Sequence, residues 1–158
     1  MLVILPILLP MVAAALCVAM WGRVRLQILV SVGAATTVLV CACLLLRRVW
    51  IDGVQVVELG GWAAPFGITL VADLFAAIMV LLGAIVGFAV TLFSIGATDI
   101  RRAAMGHYPL SLALLAAVSG AFLSGDLFNL YVWFEVMLLS SFVLLTLGGE
   151  RPQIEGSI

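Results

Sequence analysis

Polar side chains are sparse along this chain and fall in clusters that divide it into five long apolar stretches. The stretches cover residues 2–21, 27–46, 68–95, 109–125 and 127–147. Apolar residues within them are continuous rather than alternating, which argues for helices and against a transmembrane barrel. A hydrocarbon core about 30 Å thick needs roughly 20 helical residues to cross, and the stretches match or approach that length. The pattern predicts an all-α integral membrane protein, a bundle of five transmembrane helices forming a single membrane domain over residues 1–158.

Most connections are short. Residues 22–26 hold Arg23 and Arg25, residues 96–108 hold Asp99, Arg101, Arg102 and His107, and Ser124-Gly125-Asp126 makes a tight turn. The longest connection, residues 47–67, contains Val49-Trp50-Ile51, then Asp52-Gly53, then Val54-Gln55-Val56-Val57. Asp-Gly between β-branched runs signals a two-residue hairpin, because both turn positions take positive φ. A short β-hairpin turning at Asp52-Gly53 is therefore expected on the outer face between helices 2 and 3, with a solvated loop as the alternative. It would contact a neighbouring subunit or cover helix ends. Gly83 and Gly87 in the third stretch, and Ala113, Ala116, Ala117 and Gly120 in the fourth, are small residues that let helices approach closely.

Composition fits this picture. Hydrophobic residues make up 66% of the chain and charged residues 9%, where a soluble domain carries roughly a quarter charged. The chain has no lysine, and its basic residues are all arginines. If the chain weaves, Arg23, Arg25, Arg101, Arg102 and Arg151 share one side, with Arg47 and Arg48 opposite. The positive-inside rule then places the first group in the cytoplasm and the N-terminus outside. No basic residue precedes the opening MLVILPILLP run, so a retained first span is expected rather than a cleaved leader.

Several function classes drop out. The formal net charge is −1 with no basic stripe, so no nucleic-acid partner is expected. Cys17, Cys41 and Cys43 form no CxxC pair and read as small apolar fillers. No P-loop, GxGxxG or HExxH motif is present, and no cofactor or metal is expected. Trp21, Trp50 and Trp62 read as interfacial anchors, while Trp133 sits too deep for that role.

Glu135 carries the chemistry. It stands ninth in the last stretch, near the middle of a hydrocarbon span. An ionised carboxylate there costs about 2.5–3.5 kcal/mol on insertion scales, so such residues face a polar cavity, a cation or a proton. No arginine falls inside a stretch, and His107 lies at a helix end. Glu135 is accordingly the proton-transfer candidate, a structural carboxyl that pins helices being the alternative. Tyr131, one turn earlier on the same face, is a supporting candidate. Asp126 and Asp73 stand where helices begin, and either capping or lining an ion path explains them. His107 reads as a loop histidine.

Two segments resemble a known family. Gly60-Gly61-Trp62-Ala63-Ala64-Pro65-Phe66-Gly67-Ile68, followed by Val71-Ala72-Asp73, is similar to the lead into the third helix of antiporter-like subunits. The more specific match runs from Gly120 through Ser124-Gly125-Asp126-Leu127-Phe128-Asn129 to Val132-Trp133-Phe134-Glu135-Val136-Met137-Leu138. It resembles the D-type subunit of Mrp-type multisubunit Na+/H+ antiporters. Those subunits are related to the proton-pumping membrane subunits of respiratory complex I and of membrane-bound hydrogenases. The resemblance implies a long bundle of two inverted repeats, each with a broken helix. This chain would supply three leading helices and the first two of the first repeat. Glu135 matches the family's intramembrane glutamate, whose lysine partner stands on a later helix absent from this sequence.

The resemblance therefore implies the N-terminal part of an ion-translocating subunit. It would be a transporter component rather than an enzyme, set in the bilayer of a bacterial plasma (inner) membrane beside other antiporter subunits, with protons and Na+ as cargo. Two alternatives stay open. One is a proton-pumping membrane subunit of NADH-quinone oxidoreductase or hydrogenase, with redox chemistry in partner subunits. The other is an inactive structural or assembly fragment.

Overall fold

The computed structural model describes residues 1–60 and 67–149. Among these, helices α1 (Leu5–Ala19) and α2 (Val24–Asp52) precede strands β1 (Gln55–Leu59) and β2 (Ile68–Ala72). Helices α3 (Leu74–Ala97), α4 (Ile100–Ala104), α5 (His107–Leu123) and α6 (Leu127–Thr146) follow. Helices α2, α3 and α6 are long and apolar enough to cross a membrane, while α1 and α5 are apolar but shorter.

Helix α5 is the hub, packing against α1, α2, α3 and α6. Its buried residues, including Tyr108, Leu112, Leu115, Ala117, Ser119 and Leu123, cover more than half of its circumference, and the remainder is apolar apart from His107 and Ser111. A helix apolar all round belongs inside a bundle. Its small residues set the spacing. A Cβ on Gly87 would stand 2.9 Å from Leu115 Cδ1, and one on Gly83 would stand 3.5 Å from Val118 Cγ1. The glycine pair of α3 thus lies against α5. Lipid tails are as apolar as leucine, so close packing of this kind holds helices together where hydrophobic exclusion does not.

Helices α1 and α2 are joined by a polar clamp at their shared end. The buried amide of Gln27 donates from Nε2 to the carbonyls of Cys17, at 2.9 Å, and Met20, at 3.3 Å. Both carbonyls belong to the end of α1, where helices run out of internal donors.

The hairpin forms, with a different turn from the one expected. Asp52 ends α2 and Gly53, at φ 78°, is its C-cap. Its amide donates back to Val49 O at 3.0 Å. Positive φ is what a helix C-terminus and a hairpin turn both ask of glycine, so the Asp-Gly signal is real but belongs to the helix. Val49 is held in the helical core with Val3 and Leu45. The strands that do pair are β1 and β2, antiparallel, with Val57 opposite Leu70. The third apolar stretch therefore divides. Residues 68–72 are strand, and α3 starts only at Leu74, capped by Asp73, whose Oδ1 accepts from the Ala76 amide at 2.7 Å. Trp62, Arg151 and residues 61–66 of the Gly60–Ile68 motif lie outside the described residues.

The bundle has two distinct ends. Near the hairpin gather Val3 of the N-terminus, Leu45 and Arg48 of α2, and Val56 and Val57. At the other end, Trp21 stands within van der Waals range of Gly106. Arg23 and Arg25 open α2 there, and Arg101 and Arg102 ride on the short α4.

Candidate functional site on helix α6

Helix α6 owes its position to the turn that precedes it. Asp126 is its N-cap, Oδ1 accepting from the Asn129 amide at 2.7 Å. The other oxygen, Oδ2, accepts from the Thr69 amide of β2 at 3.3 Å. Gly125 donates its amide to Thr69 O at 2.8 Å. The Asn129 side-chain amide reaches back to Ser124 Oγ at 3.1 Å, and that hydroxyl donates to Gly120 O at 2.8 Å. One edge of β2 is thereby stitched to the α5–α6 turn, with Leu70 bridging Ser124. Gly125 is required for the approach. A Cβ there would stand 2.7 Å from Val71 Cγ2 and 3.0 Å from Thr69 O.

Nearly two turns into the helix, Trp133 lies flat on Gly120 of α5, where any Cβ would overlap the indole ring. Trp133 is thus a packing residue between helices. Its buried Nε1 has no hydrogen-bond partner among the described residues, and neither has Thr69 Oγ1.

The opposite face of α6 is bare. Phe128, Tyr131, Leu138, Leu139 and Phe142 are exposed, Phe128 by 75% and Tyr131 by 61%. Glu135, ninth of the 20 residues of α6, is exposed among them. Tyr131 stands one turn before Glu135 on the same exposed face, close enough for the two side chains to interact. The two sequence candidates on α6 are therefore together, aimed away from the bundle.

Asp126 and Asp73 are not near them. Each caps a helix at the hairpin end. His107 opens α5 and lines an apolar groove of about 520 Å³ between α3 and α5, with Ser111 and Thr91 as polar neighbours. No cluster of metal-ligating side chains occurs among the described residues.

Sequence reasoning missed the role of Ser124, Asn129 and Thr69 in fixing α6. Their partners lie up to 57 residues away, and no local pattern announces such a pairing.

No family model matches the chain. Similar proteins do. The D-type Na(+)/H(+) antiporter subunit of Bacillus subtilis (strain 168) is 43% identical over 156 residues, which is 99% of this chain and 32% of that protein. Its namesake from Alkalihalophilus pseudofirmus is 45% identical over 157 residues, again 99% and 32%. The chain is homologous to the N-terminal third of these D-type antiporter subunits. It thus spans about a third of the length of the curated relatives it matches.

The fold agrees. A chain in the structure of the Mrp complex from Dietzia sp. DQ12-45-1b superposes with a TM-score of 0.84 at 32% identity, over 91% of this chain and 27% of that one. A chain of the membrane-bound sulfane sulfur reductase, an archaeal respiratory membrane complex, superposes with a TM-score of 0.90 at 28% identity, over 98% and 32%. Kinship to these membrane subunits, together with the apolar helices, identifies this chain as a membrane protein.

Proposed function

We propose that the chain is the N-terminal part of the ion-translocating subunit of a Na+/H+ antiporter complex, with Glu135 as its proton-transfer group. The observation that carries this is a carboxyl midway along a helix long and apolar enough to cross a membrane, on a face left uncovered by the described residues. In relatives three times as long, later helices are available to close over such a face. Covered in that way, Glu135 exchanges a proton with a group on those helices, and Tyr131 orients the carboxylate. Moving one charge across the membrane potential is worth about 2.3 kcal/mol per 100 mV, enough for proton movement inward to drive Na+ outward.

All five long helices cross the bilayer in this reading. Helices α1 and α5, of 15 and 17 residues, rise about 22 and 25 Å, and their flanking turns complete the crossing. The arginine-rich end with α4 faces the cytoplasm and the hairpin faces outward in the bacterial plasma membrane. Asp73 and Asp126 cap helices at that outer end and play no direct part in proton transfer.

The test is Glu135→Gln in the complete assembly. Antiport measured in everted vesicles is abolished while the subunits still co-purify. Undiminished antiport would end the reading.

A second reading has an observation in its favour. The superposition on the archaeal respiratory complex is tighter than that on the Mrp complex, so the same fold also suits proton pumping driven by a redox partner. Encoding beside iron–sulfur subunits, rather than small antiporter subunits, favours that reading.

A further inference from the structure

Helix α2 outruns the hydrocarbon. Its 29 residues rise about 44 Å, against a core of about 30 Å, so one end stands in the headgroup layer. Its last two turns carry adjacent arginines in different surroundings. Arg48 pairs with Asp52 one turn on, at 3.4 Å. Arg47 is exposed and has no acidic partner among the described residues.

Arg47 lies on the rim of a cleft of about 410 Å³, walled by Cys43, Leu46, Trp50 and Ile51 of α2 and by Leu81 of α3. Apart from the guanidinium, these walls are apolar or aromatic. Trp50 is 74% exposed and Ile51 66%, so the cleft opens sideways to the bilayer. Cys43 lies one turn deeper than Arg47, and Leu81 lies two turns into α3. The order along the helix is therefore indole, cation, then apolar groove. A glycerophospholipid complements the last two of these, with an anionic phosphate above its acyl chains.

We propose that this cleft binds an anionic phospholipid, its phosphate on Arg47 and an acyl chain laid along Cys43, Leu46 and Leu81. Charge complementarity selects the occupant: a cation with no acidic partner among the described residues sits at the headgroup level over a groove too apolar for a free anion. Trp50 closes the site from above, as aromatic side chains do at membrane interfaces.

The test uses the complete assembly in phosphatidylcholine vesicles doped with a photoactivatable phosphatidylglycerol carrying a diazirine in one acyl chain. Phosphatidylcholine with the same chain is the comparison probe. Adducts mapped to residues 43–51 and to Leu81 are expected about fivefold more often with the anionic probe. Arg47→Gln brings the two probes level, Arg47→Lys retains part of the preference, and Arg48→Gln leaves it unchanged. Unlabelled phosphatidylglycerol competes, and inorganic phosphate does not. Equal labelling by both probes, or an unaltered preference in Arg47→Gln protein that still assembles, overturns the proposal. So does competition by phosphate, which marks a free-anion site, or protection from both probes by a partner polypeptide.

Discussion

At the first turn of α6, Asp126, Asn129 and Ser124 direct their polar atoms to β2, to α5 and to one another, whereas further along the helix Tyr131 and Glu135 share an uncovered face. The first region is closed chemistry: the Asp126 carboxylate, the Asn129 side-chain amide and the Ser124 hydroxyl find their partners inside the chain. The second is open, and a carboxyl in the middle of a membrane must be matched by something. The difference separates the part of α6 that packs from the part to which we assign proton transfer. Anchoring one end firmly lets the other present a charge at a fixed depth.

The comparison breaks most visibly at the open region. Glu135→Gln is expected to remove antiport entirely with no loss of assembly, since nothing in the packed face depends on it. A loss of assembly instead would make Glu135 a pinning residue and erase the distinction.

The closed region responds in stability. Gly120→Ala places a methyl into the Trp133 ring and is expected to cost about 1–3 kcal/mol, as overpacking does. Thermal melting of the purified assembly reads this, and Trp133→Leu in the same chain should recover most of it. No recovery would show that the two residues are not coupled.

Asp126→Ala is expected to cost about 1 kcal/mol through the lost cap. It should also speed amide exchange at both Asn129 and Thr69, because one carboxylate serves both. Exchange rising at Asn129 alone would separate the hairpin from the helix.

The smallest effects test the supporting candidates. Tyr131→Phe should slow antiport about two- to tenfold, the range for one polar hydrogen bond, with assembly unchanged. Asp73→Asn should be near neutral, since asparagine caps as well as aspartate. A change in Na+ dependence would instead return Asp73 to the ion path.

The apolar stretches are legible in the sequence because lipid leaves little freedom: a spanning segment must be long, continuous and helical. Glu135 is legible for the same reason, being an expensive group in a place that excludes it. What local pattern does not reveal is pairing across distance. Ile68–Ala72 reads as the start of a helix because a short apolar run looks alike in either state, and its partner is β1, Gln55–Leu59. Val49-Trp50-Ile51 favours strand by composition, yet contact between Val49 and the α1–α2 core keeps it helical. The bare face of α6 is equally hidden. On the side that turns inward, Gly120 of α5 makes room for Trp133, a match between residues on two different helices.

Strand β2 has a consequence for biogenesis. It emerges from the ribosome more than fifty residues before the Ser124–Asp126 segment it binds, so until that segment arrives the Thr69 amide and carbonyl have only water for company. Insertion of α6 is therefore also the event that completes the partners of β2. A nascent chain halted after α5 should expose β2 to proteolysis, and one carried through Asn129 should not.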